Sequence, residues 1–118
     1  MYKRNEGFRY TFPVPLNGKL FLSTVKDITK PSNKTIIALT NISPKGCSFT
    51  SGLQFPKDED LLVYIEFTLN ELPVSAVGKI AWKKEMGKQS IYGLQFISTD
   101  EDTEALTKEI KKFASQNR

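Results

Sequence analysis

The chain has 118 residues, of which 39% are hydrophobic and 25% charged, an ordinary balance for one globular domain. It carries no histidine and one cysteine, which excludes a Ser-His-Asp triad, an internal disulfide and a cysteine-based metal cluster. The formal net charge of +4 sets up a field that favours anionic partners.

Residues 1–8 are polar and basic, without apolar pattern, and are expected to form a flexible arm. No run is long enough to span a membrane, and the N-terminus lacks the apolar core of a signal peptide, so the expected location is the cytoplasm. The domain is expected over 9–118. From Arg9 the chain reads as strand, with Pro13 and Pro15 confining it to an edge or a bend. Asn17-Gly18 is a hairpin signal, and Lys19 to Val25 is again strand-like; a turn or a bulge within one long strand both fit. Lys26 to Lys34 reads as a loop, Lys34 to Thr40 and Gly46 to Thr50 as strands. After the acidic turn Asp58-Glu59-Asp60, Leu61 to Leu69 forms a strand with Val63, Ile65 and Phe67 on one face. Asn70-Glu71 connects it tightly to Pro73–Lys83, where Gly78 is a candidate bulge. Ser90 to Ile97 is the last strand.

The tail changes to helical period. Ser98 with Glu101 reads as a capping box opening a helix over about 99–115. Asp100, Glu101 and Asp102 suit its N-terminus; Lys108, Lys111 and Lys112 suit its far end. Ala105, Leu106, Ile110 and Phe113 form an apolar stripe that docks on the sheet or on a second copy. Short antiparallel strands followed by a helix predict an all-β fold: a small six-stranded closed barrel with a C-terminal α-helix.

The most chemically loaded stretch is Thr40 to Phe49, Thr-Asn-Ile-Ser-Pro-Lys-Gly-Cys-Ser-Phe. By local chemistry it is an inter-strand turn, built of the usual turn residues. It also resembles a family signature. Asn41-x-Ser43-x-x-Gly46 is similar to the Asp/Asn-x-Ser-x-x-Gly motif of PilZ domains, the bacterial receptors for cyclic di-GMP. Val77-Gly78-Lys79-Ile80-Ala81-Trp82 resembles the family's Gly-x-Val-x-Trp strand, and Tyr92-Gly93-Leu94-Gln95-Phe96 its closing Tyr-Gly-x-x-Phe strand. The family's other motif, Arg-x-x-x-Arg, is degenerate. Arg9 stands at its second arginine, Asn5 at its first, and Arg4 lies one position further out.

The resemblance implies a small barrel with a C-terminal helix and a cyclic di-GMP site drawn from Arg4, Asn5, Arg9, Asn41, Ser43 and Gly46. An arginine fork meets the O6/N7 edge of guanine, or a phosphate, through two hydrogen bonds, and it stacks flat on a purine. Asn41 would read a guanine edge, Ser43 would bond a guanine or phosphate oxygen, and Gly46 would let backbone approach. Lys45 adds positive field. Cys47 shares strand parity with Phe49 and reads as a small buried hydrophobe. Trp82 alternates with Ile80, in the core or at its rim, and Tyr64 and Tyr92 are expected in the barrel wall. Asp58, Glu59 and Asp60 lack the further oxygen ligands of a cation site.

Three functions compete. The first is a cyclic di-GMP receptor that passes the signal to an unidentified partner protein. The second is a degenerate adaptor that keeps protein contacts without the nucleotide, suggested by Asn5. The third is a single-strand nucleic-acid binder, suggested by the basic charge and by Tyr2, Phe8 and Tyr10. No histidine, paired carboxylate motif or Gly-rich phosphate loop points to an enzyme. No metal and no cofactor are expected.

Overall fold

The computed structural model describes residues 9–24, 34–55, 60–97 and 99–116. Six antiparallel strands close into a barrel: β1 (Tyr10–Thr24), β2 (Thr35–Ser43), β3 (Gly46–Ser51), β4 (Leu61–Leu69), β5 (Leu72–Met86) and β6 (Gln89–Phe96). Their order around the barrel is β1-β2-β3-β6-β5-β4, followed in the chain by α1 (Asp100–Gln116). The expected fold class is the one observed. The expected arm over 1–8, the loop over 26–33 and two residues of the acidic turn, Asp58 and Glu59, lie outside the described residues.

Asn17-Gly18 does not turn. Both residues continue β1, paired with Ala38 and Ile37 of β2. The hairpin signal loses because the segment that follows, Lys19–Thr24, gains a second partner in β4. The β1–β2 register slips between Thr11 and Leu16, where Pro13 and Pro15 lack the N–H groups a ladder needs. Val63, Ile65 and Phe67 all point inward, as their period of two predicts, and join Leu20, Leu39 and Phe49 in the core.

Gly78 is not a bulge. It pairs regularly with Val63 on one side and Phe96 on the other, and the irregularity in β5 falls between Ile80 and Trp82. The helix cap also moves by one residue. Thr99 Oγ1 accepts from the Asp102 amide at 3.1 Å, and Asp102 Oδ2 accepts from the Thr99 amide at 3.4 Å, so Thr99 and Asp102 form the reciprocal pair. Ser98 lies outside the described residues. No basic side chain falls in the last turn of α1.

The helix closes one end of the barrel. Ile110 is buried, and Phe113 meets Tyr10 and Phe12 edge to face at 5.7 and 5.6 Å. Asn70 and Glu71 both take positive φ, the geometry of a tight hairpin turn. From that turn Asn70 Nδ2 donates to the Glu109 carbonyl (3.0 Å) and carboxylate (2.9 Å), which ties α1 to the β4–β5 connection. Ala105, expected in the docking stripe, is exposed.

Candidate functional site

Two bulges build the site on the outer wall. In β2, Leu39 pairs with the buried Phe49, and Asn41 pairs with Ser48. Thr40 is the extra residue between them. In a regular strand Asn41, two residues after Leu39, would share its inward side, because side chains alternate with period two. In β5, Ile80 pairs with the buried Leu94, and Trp82 pairs with Gly93. Ala81 is the extra residue there, and it turns Trp82 outward in the same way. Sequence parity placed Trp82 with Ile80; the bulge overrides that, and the indole is 47% exposed.

The two re-aimed side chains end a single row of register partners. Asn41, Ser48, Gly93 and Trp82 run across β2, β3, β6 and β5. A second row, Ser43, Gly46, Gln95 and Lys79, lies beside it. The first row is tall at its ends and small in its middle. A concavity of about 640 Å³ results, with Asn41 and Trp82 on opposite sides.

Each part is held by a specific contact. Thr40 Oγ1 donates to the Ser48 carbonyl at 3.2 Å and lies 2.5 Å from Ser48 Oγ, which fills the gap the bulge leaves in the ladder. A Cβ on Gly93 would sit 2.0 Å from Trp82 Nε1, so the indole rests directly on this glycine. Arg9, just ahead of β1, reaches over the rim, and its Nη1 donates to Asn41 Oδ1. The β1–β2 register, Tyr10 with Ile42 and Thr11 with Asn41, puts Arg9 there.

Ser43 and Gly46 serve the β2–β3 hairpin itself. Ser43 is buried, and its hydroxyl donates to the Gly46 carbonyl at 3.2 Å. A Cβ on Gly46 would sit 2.4 Å from the Leu94 carbonyl oxygen of β6. The Lys45 carbonyl accepts the Phe96 amide at 2.9 Å, which pins the hairpin tip to the end of β6. Cys47 is buried beneath the site, and burial pushes its thiol up to about 12 against a smaller opposing pull from Arg9.

The structure thus brings together Arg9, Asn41, Ser43 and Gly46; Arg4 and Asn5 lie outside the described residues. Sequence reading missed Thr40, Ser48, Ala81 and Gly93 as parts of the site. The one signal for them is a glycine and a serine at paired positions of two buried strands, where larger residues are the rule. The lining presents a guanidinium, the two amides of Asn41 and Gln95, the Lys45 ammonium and an indole face, with no carboxylate among them. Such a set recognises a planar, anionic ligand. Among the described residues there is no cluster of groups able to hold a metal, and no helix long and apolar enough to cross a membrane.

The family model that matches this sequence is that of the PilZ domain, over residues 3–112. The chain belongs to the PilZ family. The Bacillus subtilis inhibitor of motility (MotI/DgrA) superposes with a TM-score of 0.69 at 16% identity, over 99% of this chain and 55% of that one. The chain therefore spans about half the length of that protein. The PilZ domain of CeSA from a cellulose-synthesizing bacterium superposes with a TM-score of 0.53 at 12% identity, over 95% of this chain and all of that one. At these identities the likeness concerns the fold alone. No curated protein sequence gives a significant match. PilZ domains form a family of cyclic di-GMP receptors. In this PilZ domain the Asn41-x-Ser43-x-x-Gly46 signature splits by role: Asn41 points into the concavity, while Ser43 and Gly46 shape the hairpin that borders it.

Proposed function

We propose that this PilZ domain binds cyclic di-GMP in the concavity between Asn41 and Trp82, and that occupancy is read by a partner protein in the cytoplasm. The observation that supports this most is the Arg9–Asn41 hydrogen bond, which brings the surviving arginine of one signature onto the asparagine of the other. Arg9 carries five N–H donors and spends one on Asn41, so its fork stays available to a guanine edge or a phosphate. Trp82 offers a flat, half-exposed face for a base, a contact worth about 1–3 kcal/mol in other nucleotide sites. Ser43 and Gly46 hold the hairpin at the height of the ligand, and Arg4 is the second candidate arginine. The domain acts by binding and carries out no reaction. Control of motility or of exopolysaccharide is the output class that the named relatives suggest.

Calorimetric titration of cyclic di-GMP into the native protein tests the reading, with Arg9→Ala and Asn41→Ala alongside. Loss of one bidentate contact costs about 1–3 kcal/mol, so each substitution weakens binding by about 5- to 150-fold. A flat titration of folded protein at millimolar nucleotide and low salt refutes the proposal.

Asn5 at the first arginine position favours a second reading, an adaptor that keeps its protein contacts without the nucleotide. In that case the native titration is flat, and Asn5→Arg creates binding.

A further inference from the structure

The Ser43–Gly46 hairpin has a concavity on each side. Ser43, Lys45 and Gly46 border the site described above, whereas Pro44 borders a second hollow of about 350 Å³ between β5 and α1. The two are opposite in character. The first carries Arg9 and Lys45 and no carboxylate. The second is apolar, walled by Val74, Val77 and Phe96 on the barrel and by Ala105 and Leu106 on the helix. Its charged members are both acidic, Asp102 and Glu109. Asp102, Ala105, Leu106 and Glu109 follow helical spacing, so an acidic group sits at each end of one apolar helix face.

The surroundings strengthen this polarity. Although the chain is net positive, Asp100 to Glu109 holds five carboxylates and one lysine, Lys108. No salt bridge to any of the five exists among the described residues. Ile97, at the lip of the hollow, is 52% exposed. At the small end of ligand cavities (about 300–1,000 Å³), the hollow has room for one or two side chains rather than a nucleotide.

We infer that the β5–α1 groove is a docking site for a partner-protein segment that inserts an apolar side chain and flanks it with lysine or arginine. Burial of the apolar anchor supplies affinity, and the acidic ends select basic neighbours and set orientation. The inference rests on the groove's own chemistry and not on nucleotide binding, so the test uses nucleotide-free protein.

Random dodecapeptides displayed on phage are selected on the native protein, and recovered peptides are resynthesised with a fluorescein label for anisotropy. The expected consensus is an aliphatic or aromatic residue beside Lys or Arg, with binding that weakens as salt rises. Asp102→Asn with Glu109→Gln keeps the hydrogen bonds to Thr99 and Asn70 and removes both charges, and weakens binding about fivefold. Ala105→Gln fills the groove from an exposed, helix-compatible position without adding charge and weakens it more than tenfold. Thermal unfolding confirms that the variants fold. Selection that yields no binder, binders without basic residues, or binders indifferent to Ala105→Gln overturns the inference. A dimer in sedimentation that Ala105→Gln dissociates also overturns it, because the groove is then covered by a second copy.

Discussion

Gly46→Ala separates the two roles in the Asn41-x-Ser43-x-x-Gly46 signature. Gly46 has an ordinary negative-φ strand conformation that alanine also adopts, so the substitution on its own would gain about 0.4–1 kcal/mol by restricting the unfolded chain. Opposing this, the new Cβ would lie 2.4 Å from the Leu94 carbonyl oxygen. That atom is backbone, held in the β3–β6 ladder by the neighbouring pairs Gly46 with Gln95 and Cys47 with Leu94, and it cannot swing aside. Overpacking against fixed backbone at so short a distance lies in the upper part of the usual range, about 2–3 kcal/mol, which outweighs the gain. The net loss of about 1–2.6 kcal/mol lowers Tm by roughly 3–15 °C for a domain of this length. Asn41→Ala removes only an exposed bond to Arg9 and stays within about 0.5 kcal/mol of the native protein. Urea and thermal unfolding of both variants are the assay, read beside the cyclic di-GMP titration. The expected pattern is Asn41→Ala stable and binding-deficient, Gly46→Ala destabilised. A Gly46→Ala protein as stable as the native one would show that β6 can retreat, and would return the glycine to a ligand-facing role.

Gly93→Ala places its Cβ against the indole of Trp82, an exposed side chain that can swing away. Stability should fall by less than about 1 kcal/mol, while the emission of this lone tryptophan shifts to the red; an unshifted spectrum would contradict the stacking of indole on glycine. Thr40→Val keeps the β-branched shape but leaves the buried Ser48 hydroxyl without its partner, at a cost of about 1–3 kcal/mol by urea unfolding; a neutral result would mean the bulge stands without this bond. The Cys47 thiol, ordinarily near 9.0, is pushed up to about 12. Below pH 9 both folded and unfolded states hold the proton; above it the unfolded state releases the proton first, so stability falls as pH rises from 9 toward 12. By pH 10 the native protein should have lost about 1 kcal/mol that Cys47→Ala does not lose, measured as the change in the native-minus-variant difference between pH 8 and pH 10. Parallel curves would place the thiol in contact with solvent.

Most of the architecture was legible because the strands follow their burial with a period of two. Val63, Ile65 and Phe67 announced β4, and the polar turn Asn70-Glu71 announced its end. Arg9 and Asn41 were found through motif spacing, and they meet. What escaped was parity. Thr40 and Ala81 are ordinary strand residues, with no glycine or proline to mark a bulge, and each adds one residue to a pattern that otherwise alternates cleanly. Counting by twos from Ile80 left Trp82 open between the core and its rim, and only the bulge decides for the rim. Turn and breaker residues misled in the opposite way: Asn17-Gly18 lies within one long strand, one of its two readings, but in regular pairing with β2 and not as a bulge, and Gly78 sits in a regular ladder between two neighbouring strands. The helix cap was displaced by one residue because Ser98 and Thr99 are both good caps, and only the partner, Asp102 rather than Glu101, distinguishes them.

The bulges also bear on how tightly the site can hold a ligand. The backbones of Asn41 and Trp82 are fixed by strand pairing on stiff elements, so main-chain ordering does not subtract from affinity and only the side chains remain to be settled. Arg9 is different. It lies outside the ladder at the exposed lip, and its exposed bond to Asn41 is worth no more than about 0.5 kcal/mol net. A guanine edge offers the same guanidinium two acceptors in place of one, so exchanging Asn41 for ligand is favourable for Arg9, and it frees the Asn41 amide to bond the ligand as well. Asn5, standing where a second fork would act, removes a contact worth about 1–3 kcal/mol from the same balance. If cyclic di-GMP binds as proposed, its affinity turns on whether Arg4 restores that fork: where it does, Arg4→Ala should weaken binding as much as Arg9→Ala, and where it does not, Arg4→Ala should be silent while Asn5→Arg strengthens binding.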